Sequence, residues 1–349
     1  MKIAFLTRDL NTTDGGGRFS NDLVENLKKD DVQVTTITIG NKGLLLNFFK
    51  IRKIFKNSDI IHAIDVWPNG FYARIISFGL KKPIIITALG TYSVAPFYSQ
   101  RRFLMEWVCN GARLIAISDY TKKEILEIMP NLNIKVIYPG FDLNFWCKET
   151  TVSEEILRLK PYILSVGALK LRKGYHNSIG AFAIVAKKTE NLNHVIIGQG
   201  EKSNYAKELK SIVRENKLEN RVFFVSSGID DNELLGFYIN AELFILTPVE
   251  ENHHFEGFGI VYLEAAASGL PIVASQDSGT TSAVRDGYNG ILTPQNNPEA
   301  TAKVILKILE NPELKTRLAN NSREWVKNFK WGRIIKDYIN IYNGEINHN

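Results

Sequence analysis

The strongest constraint on this chain is a repeated pattern of short β-branched runs, each followed by a stretch with helical spacing. Residues 3–7, 32–39, 59–64, 83–87, 114–117 and 136–137 form a first set, and 162–167, 194–198, 222–225, 243–246 and 271–274 a second. Short apolar runs of this kind suit strands buried on both faces, as in parallel sheets. Between them, residues such as Phe19, Leu23 and Leu27 recur every fourth position, the spacing of one buried helical face. Strands alternating with helices predict a doubly wound α/β sheet. The pattern restarts near residue 160, so two such sheets are expected, and 349 residues suit two domains of ordinary size. The polar stretch 148–155 is the expected linker, giving an N-terminal domain over 1–150 and a C-terminal domain over 151–330.

Composition removes several classes. With 44% hydrophobic and 23% charged residues the chain is globular. No apolar run approaches the roughly 18 residues of a membrane span, and the run at 3–7 ends at Arg8 and Asp9, too early for a secretory signal. Two separated cysteines, Cys109 and Cys147, build neither a disulfide framework nor a zinc site. A cytoplasmic location is expected. The net charge of +6 sits entirely in the first half, where 20 Lys+Arg face 14 Asp+Glu; the remainder balances at 23 against 23. An anionic partner for that half follows, whether membrane, nucleic acid or phosphorylated substrate.

The sequence Asp14-Gly15-Gly16-Gly17-Arg18 lies between the first strand and a helix expected from Arg18. Glycines there let backbone approach a bulky anion at a helix N-terminus, although a plain flexible turn fits as well. The spacing is not G-x-G-x-x-G, no Gly-Lys-Ser/Thr follows, and the second strand ends Thr38-Ile39-Gly40 without an acidic residue. An NAD site and a P-loop are both disfavoured.

More informative is the run 255–271, Phe-Glu-Gly-Phe-Gly-Ile-Val-Tyr-Leu-Glu-Ala-Ala-Ala-Ser-Gly-Leu-Pro. A glycine-bearing loop opens a helix near Gly259, and Gly269 with Pro271 stops it. Glu256 precedes that helix, and Glu264 lies just over one turn inside it. The two carboxylates could be a dipole-complementing charge and a solvated helix residue. The small, apolar neighbours Ala265–Ala267 argue instead for a buried helix, on which a carboxylate needs a partner.

This run resembles the E-x7-E motif of glycosyltransferase family 4, retaining enzymes of the GT-B fold with two Rossmann-like domains facing a central cleft. The likeness extends through residues 59–64, Tyr138-Pro139-Gly140-Phe141-Asp142 with Phe145, Ser165-Val166-Gly167 with Arg172-Lys173-Gly174, and Gly198-Gln199-Gly200. It implies a retaining transferase that moves a sugar from a nucleotide-diphosphate donor to a glycan or lipid-linked acceptor, in surface polysaccharide or glycolipid synthesis. By the same resemblance, Arg172 and Lys173 neutralise the donor diphosphate. Glu256 takes the sugar hydroxyls with backbone N–H groups of Phe258 and Gly259, Glu264 takes the ribose, and Gly16 and Gly17 face the phosphates. No metal or other cofactor is expected beyond the nucleotide-sugar co-substrate. The helical stripe Trp331, Ile334, Ile335, Tyr338 and Tyr342 is expected to carry 331–349 back to the first domain.

The chain also departs from that family's pattern. Ala168 replaces an arginine common after the Val-Gly strand end, Leu89 replaces a histidine near the reacting carbon, and Ser282 stands where a glutamate is usual. Leucine cannot carry a proton; in a front-face mechanism the leaving phosphate takes it, so activity is still expected. Adjacent His253 and His254 lack a third ligand and read as loop residues.

Residues 41–58 and 97–104 interleave Lys50, Arg52, Lys53, Lys56, Arg101 and Arg102 with bulky apolar side chains. Such segments lie on anionic lipid or pack as helices with a solvated basic face. Peripheral contact with the inner face of the cell membrane is therefore one expectation. Two rival functions stay open: an epimerase-like sugar-nucleotide enzyme, and a nucleic-acid-binding protein, the latter disfavoured by the absence of a recognition motif.

Overall fold

The structure is a computed structural model. It describes every residue except Thr13, 39–43, Glu149, 226–227 and 348–349, and of 44–46 the backbone alone. The chain divides into two compact units, Met1–Gly140 with Phe329–Asn349, and Phe141–Asn328. The expected linker stretch, apart from Glu149, lies in the second unit, where Ser153 caps a short helix, Glu154–Arg158.

The first unit is built on a six-stranded sheet: β1 (Lys2–Thr7), β2 (Gln33–Thr38), β3 (Ile60–Ile64), β4 (Ile84–Ala88), β5 (Arg113–Ala116) and β6 (Ile134–Val136). All neighbours pair in parallel, in the order β2-β1-β3-β4-β5-β6. Every residue of β3 and β4 is buried, as their continuous Ile-rich sequences require. At the edge, β2 alternates in exposure, which its Thr-rich sequence allows. The C-terminal helix Trp331–Asn347 belongs to this unit and buries Trp331, Ile334, Ile335, Tyr338 and Tyr342. The residue 39 end of the expected second strand lies outside the described residues.

Beneath that helix the core is not purely apolar. His62, on β3, is fully buried; its Nδ1 meets the Tyr342 hydroxyl and its Nε2 the Thr87 hydroxyl, both at 2.8 Å. Burial drives the imidazole pKa down to about 3, so it stays neutral.

The second unit repeats the plan with β7 (Tyr162–Val166), β8 (Asn193–Ile197), β9 (Val222–Val225), β10 (Leu243–Leu246), β11 (Ile272–Ser275) and β12 (Gly290–Thr293). The order is β12-β11-β10-β7-β8-β9, again parallel throughout. Sequence reasoning missed β12: Gly290-Ile291-Leu292-Thr293 is a short, partly buried edge strand opened by a glycine. In each sheet the chain leaves one central strand in one direction and later returns on its other side. Those switch points fall between β1 and β3, and between β7 and β10. Open α/β sheets bind ligands outside the carboxyl ends of the strands at such points.

Candidate active site

At the second unit's switch point, a turn of 3-10 helix over Leu171–Lys173 follows β7. Gly174 closes it in the left-handed region at φ 68°, and a Cβ there would overlap the Thr247 carbonyl just beyond β10. Val249 N–H donates to the Arg172 carbonyl at 3.0 Å. The turn is thereby fixed against the ends of both central strands, which only glycine at 174 permits.

Arg172 and Lys173 project from that turn onto one carboxylate oxygen. Arg172 Nη1 lies 2.6 Å and Lys173 Nζ 2.7 Å from Glu256 Oε2. Glu256 is only 7% exposed. Its own position comes from the loop after β11: Gly279 N–H donates to the Glu256 carbonyl at 2.8 Å, and a side chain at Gly279 would strike the Gly257 carbonyl. Burial alone would raise the Glu256 pKa, but Lys173 and Arg172 outweigh it and bring it down to about 2. Burial lowers the Lys173 pKa, Glu256 partly restores it, and Arg172 beside it lowers it again. Two cations share one anion here, leaving a net positive charge in a nearly dry setting where electrostatic forces are strong.

Gly259, at φ 86°, then opens the helix Ile260–Ala267. Phe258 and Glu264 are both buried. Glu264 does not join the cation pair; its Oε2 accepts a hydrogen bond from Tyr238 Oη at 2.8 Å. Tyr238, on the helix Asp231–Asn240, went unnoticed in the sequence because nothing in the spacing links it to position 264.

The glycine segment of the first unit differs from expectation. The helix starts at Gly15, not Arg18, because Asp14 caps it: its Oδ1 accepts from Gly16 N–H at 2.9 Å and from Gly17 N–H at 2.8 Å. Gly16 and Gly17 thus lie in a helical first turn whose N–H groups already have an anion. Gly17 is needed for packing, since a Cβ would meet the Asn11 carbonyl. The capping aspartate directly before a helical pattern was the legible signal.

Other expected features resolve as follows. Ala168 sits between β7 and the cationic turn without a charge to offer. Ser282 is buried in a helical turn, Thr280–Ala283. His253 and His254 lie in a tight turn where Glu251 and His254 exchange backbone hydrogen bonds at 3.0 and 2.8 Å. Among the described residues no group of three or more His, Cys, Asp or Glu gathers as metal ligands would, and no helix is long and apolar enough to cross a membrane. Residues 41–43 of the first basic segment lie outside the described residues. From there the helix Leu44–Lys56 buries Ile51 and Phe55 and leaves Phe49 84% exposed. In the second segment Phe97 is buried and Phe103 is 67% exposed.

Comparison with known proteins agrees with this architecture. The family model "Glycosyl transferases group 1" matches residues 149–325, and the model "Glycosyltransferase Family 4" matches residues 40–145. An uncharacterised glycosyltransferase of Methanocaldococcus jannaschii is 28% identical over 303 residues, 85% of this chain and 80% of that protein. A D-inositol 3-phosphate glycosyltransferase of Corynebacterium glutamicum is 24% identical over 348 residues, covering 92% of this chain and 80% of the relative. Among solved structures, Anabaena HepE in complex with UDP and glucose superposes with a TM-score of 0.78 at 22% identity, covering 99% of this chain and 100% of that one. Sucrose-phosphate synthase from Thermosynechococcus elongatus gives 0.77 at 19%, over 100% of both chains. These structural likenesses carry the fold, a GT-B pair of Rossmann-like units. Neither the epimerase-like nor the nucleic-acid alternative gains support from any of them. The matched models place the chain in the glycosyl transferases group 1 family: it is a glycosyltransferase.

Proposed function

We propose that this enzyme transfers a sugar, with retention, from a nucleotide-diphosphate donor to a glycan or lipid-linked acceptor in surface polysaccharide or glycolipid synthesis. The observation that carries the donor side is the Arg172–Lys173–Glu256 cluster at the second sheet's switch point. A leaving diphosphate gains negative charge as the glycosidic bond breaks, and preorganised cations in a low-dielectric site stabilise that charge. Arg172 offers a planar fork and Lys173 a compact point charge, a combination suited to adjacent phosphates. Glu256, displaced from the cations by the diphosphate, becomes an acceptor for sugar hydroxyls beside the backbone of Phe258 and Gly259. Glu264 takes the ribose hydroxyls, with Tyr238 orienting its carboxylate. Two cations provide the neutralisation, so the reaction is proposed to need no metal. UDP and glucose are bound in the Anabaena relative, which makes uridine nucleotides the first donors to try.

A nucleotide-sugar panel read by thermal stabilisation tests this, because a ligand of the native state raises the melting temperature by mass action. The true donor should stabilise the wild type and fail to stabilise Lys173→Ala. Equal stabilisation of both proteins would remove the cluster from donor binding.

Gly16 and Gly17 keep only a steric part in this proposal: their N–H groups are held by Asp14, so the bare helix start permits close approach without donating. On the acceptor side, Phe49 and Phe103 stand exposed beside Lys50, Lys53, Arg101 and Arg102, as peripheral contact with an anionic membrane would use them. Cosedimentation with phosphatidylglycerol vesicles should fall steeply with added salt and with Phe49→Ser/Phe103→Ser; salt-independent binding would rule out this mode.

A further inference from the structure

The first sheet has its own switch point, between β1 and β3, and the residue that leaves β3 there is Asp65. We propose that Asp65 is the carboxylate that receives the sugar-acceptor hydroxyl, a role resting on the glycan-acceptor proposal above. Its backbone is held at φ 66° and ψ 148°, at the edge of a region occupied essentially by glycine alone. Strain of that kind persists only where surrounding bonds enforce it, and here they are visible. Asp65 N–H donates to the Thr87 carbonyl at 2.9 Å, and the Asp65 carbonyl accepts from Gly70 N–H at 3.0 Å. Oδ1 accepts from Leu89 N–H at 2.9 Å and from the Ser93 hydroxyl at 2.8 Å; Ser93 Oγ in turn accepts from Val66 N–H at 3.1 Å.

Both bonds to the carboxylate go to one oxygen, Oδ1. Oδ2 accepts no hydrogen bond among the described residues, although the side chain is only 8% exposed. Oδ2 is not fully enclosed, so the unlocked half of this largely buried carboxylate can be reached by water or by a ligand hydroxyl. Burial raises its pKa, the Leu89 and Ser93 bonds lower it, and the balance stands at about 6, so at neutral pH it accepts hydrogen bonds only. The Leu89 side chain, held by the same lock, reaches the helix start: its Cδ1 lies 3.8 Å from where a Gly16 Cβ would sit. Asp65, Leu89 and the bare first turn at Gly16 therefore share one rim. Leu89 is apolar and the Asp14 carboxylate at that turn is already engaged in capping the helix, so Asp65 is the acceptor there whose second oxygen is held by no described residue.

The decisive variant is Asp65→Asn. Asparagine is isosteric with aspartate and keeps the Oδ1 bonds, but turns the free oxygen into an N–H donor. With the donor chosen from the thermal panel and octyl glycosides as acceptor probes, D65N should raise the acceptor KM at least tenfold. Donor KM and melting temperature should stay at wild-type values. Ser93→Ala, which loosens the lock but leaves Oδ2 intact, should change the acceptor KM less than threefold. Should D65N fail to fold, Asp65→Gly relieves the positive φ and is compared with S93A in the same way. The proposal fails if D65N keeps the wild-type acceptor KM, if D65N and S93A raise it equally, or if the wild type hydrolyses donor but transfers to no glycoside. A failure of donor binding would appear in donor KM and in the Lys173→Ala panel, and is read separately.

Discussion

Glu256 illustrates how much a single residue position can decide. Its carboxylate pairs with the two cations that are proposed to take the donor diphosphate. Glu256→Gln removes that competitor, so pyrophosphate should bind at least fivefold tighter by calorimetry while sugar transfer falls at least a hundredfold. A variant that loses both would show that Glu256 serves only to hold the cations in place. Gly174 is as constrained: Gly174→Ala combines a left-handed φ with overlap on Thr247, and should cost about 2 kcal/mol or more in urea unfolding. Arg172, Lys173 and Glu256 stood out in the sequence through the family resemblance of their two segments, and the structure brings the three together. Their meeting at one oxygen was not legible there, because the pairing spans 84 residues and depends on which strands neighbour each other.

At the level of elements, the helical stripe from Trp331 to Tyr342 was visible as periodicity, but periodicity says nothing of polar partners. His62 sat inside an apolar run and read as strand; only the fold shows it bridging Thr87 and the C-terminal helix. Tyr342→Phe strips His62 Nδ1 of its partner while keeping the packing. An unsatisfied buried group costs about 1–3 kcal/mol, so the first unit should lose that much in urea unfolding while the second unit's transition stays put. If the first-unit transition is unmoved, the bridge contributes nothing to docking that helix. The glycine segment shows the opposite balance: composition suggested a loop, whereas the Asp14 cap makes it a helix start. Capping chemistry outweighed the low helix propensity of three glycines.

Across the whole molecule, two histidines that lie fully buried among the described residues, His62 and His194, govern the response to mild acid. Both have pKa values lowered by burial to about 3. Between roughly pH 6.5 and 3 the unfolded chain takes up these protons and the folded chain does not, so stability falls as pH falls. Each histidine contributes about 1.4 kcal/mol per pH unit in that window. Asp65 acts in the opposite sense: its raised pKa contributes stability below about 4 that fades as pH rises through 6. The histidines outnumber it, and unfolding free energy should drop continuously from pH 6.5 to 4.5. A flat profile over that range would mean the imidazoles are solvated in the folded state. The doubly wound pattern and its restart near residue 160 were readable from the strand runs alone. The strand orders were not, since crossover direction leaves no mark in local sequence.

One feature of the chain path bears on how the protein is made. The first unit needs Phe329–Asn349 to cover its core, while the second is contained within 141–328. On a ribosome the first unit therefore begins to emerge early yet stays unfinished until residues 329–349 have followed the whole of the second, leaving the pocket for Tyr338 and Tyr342 uncovered until then. The second unit thus has all of its strands and helices on hand before the first does, and deleting Phe329–Asn349 harms the unit that begins more than 300 positions earlier in sequence.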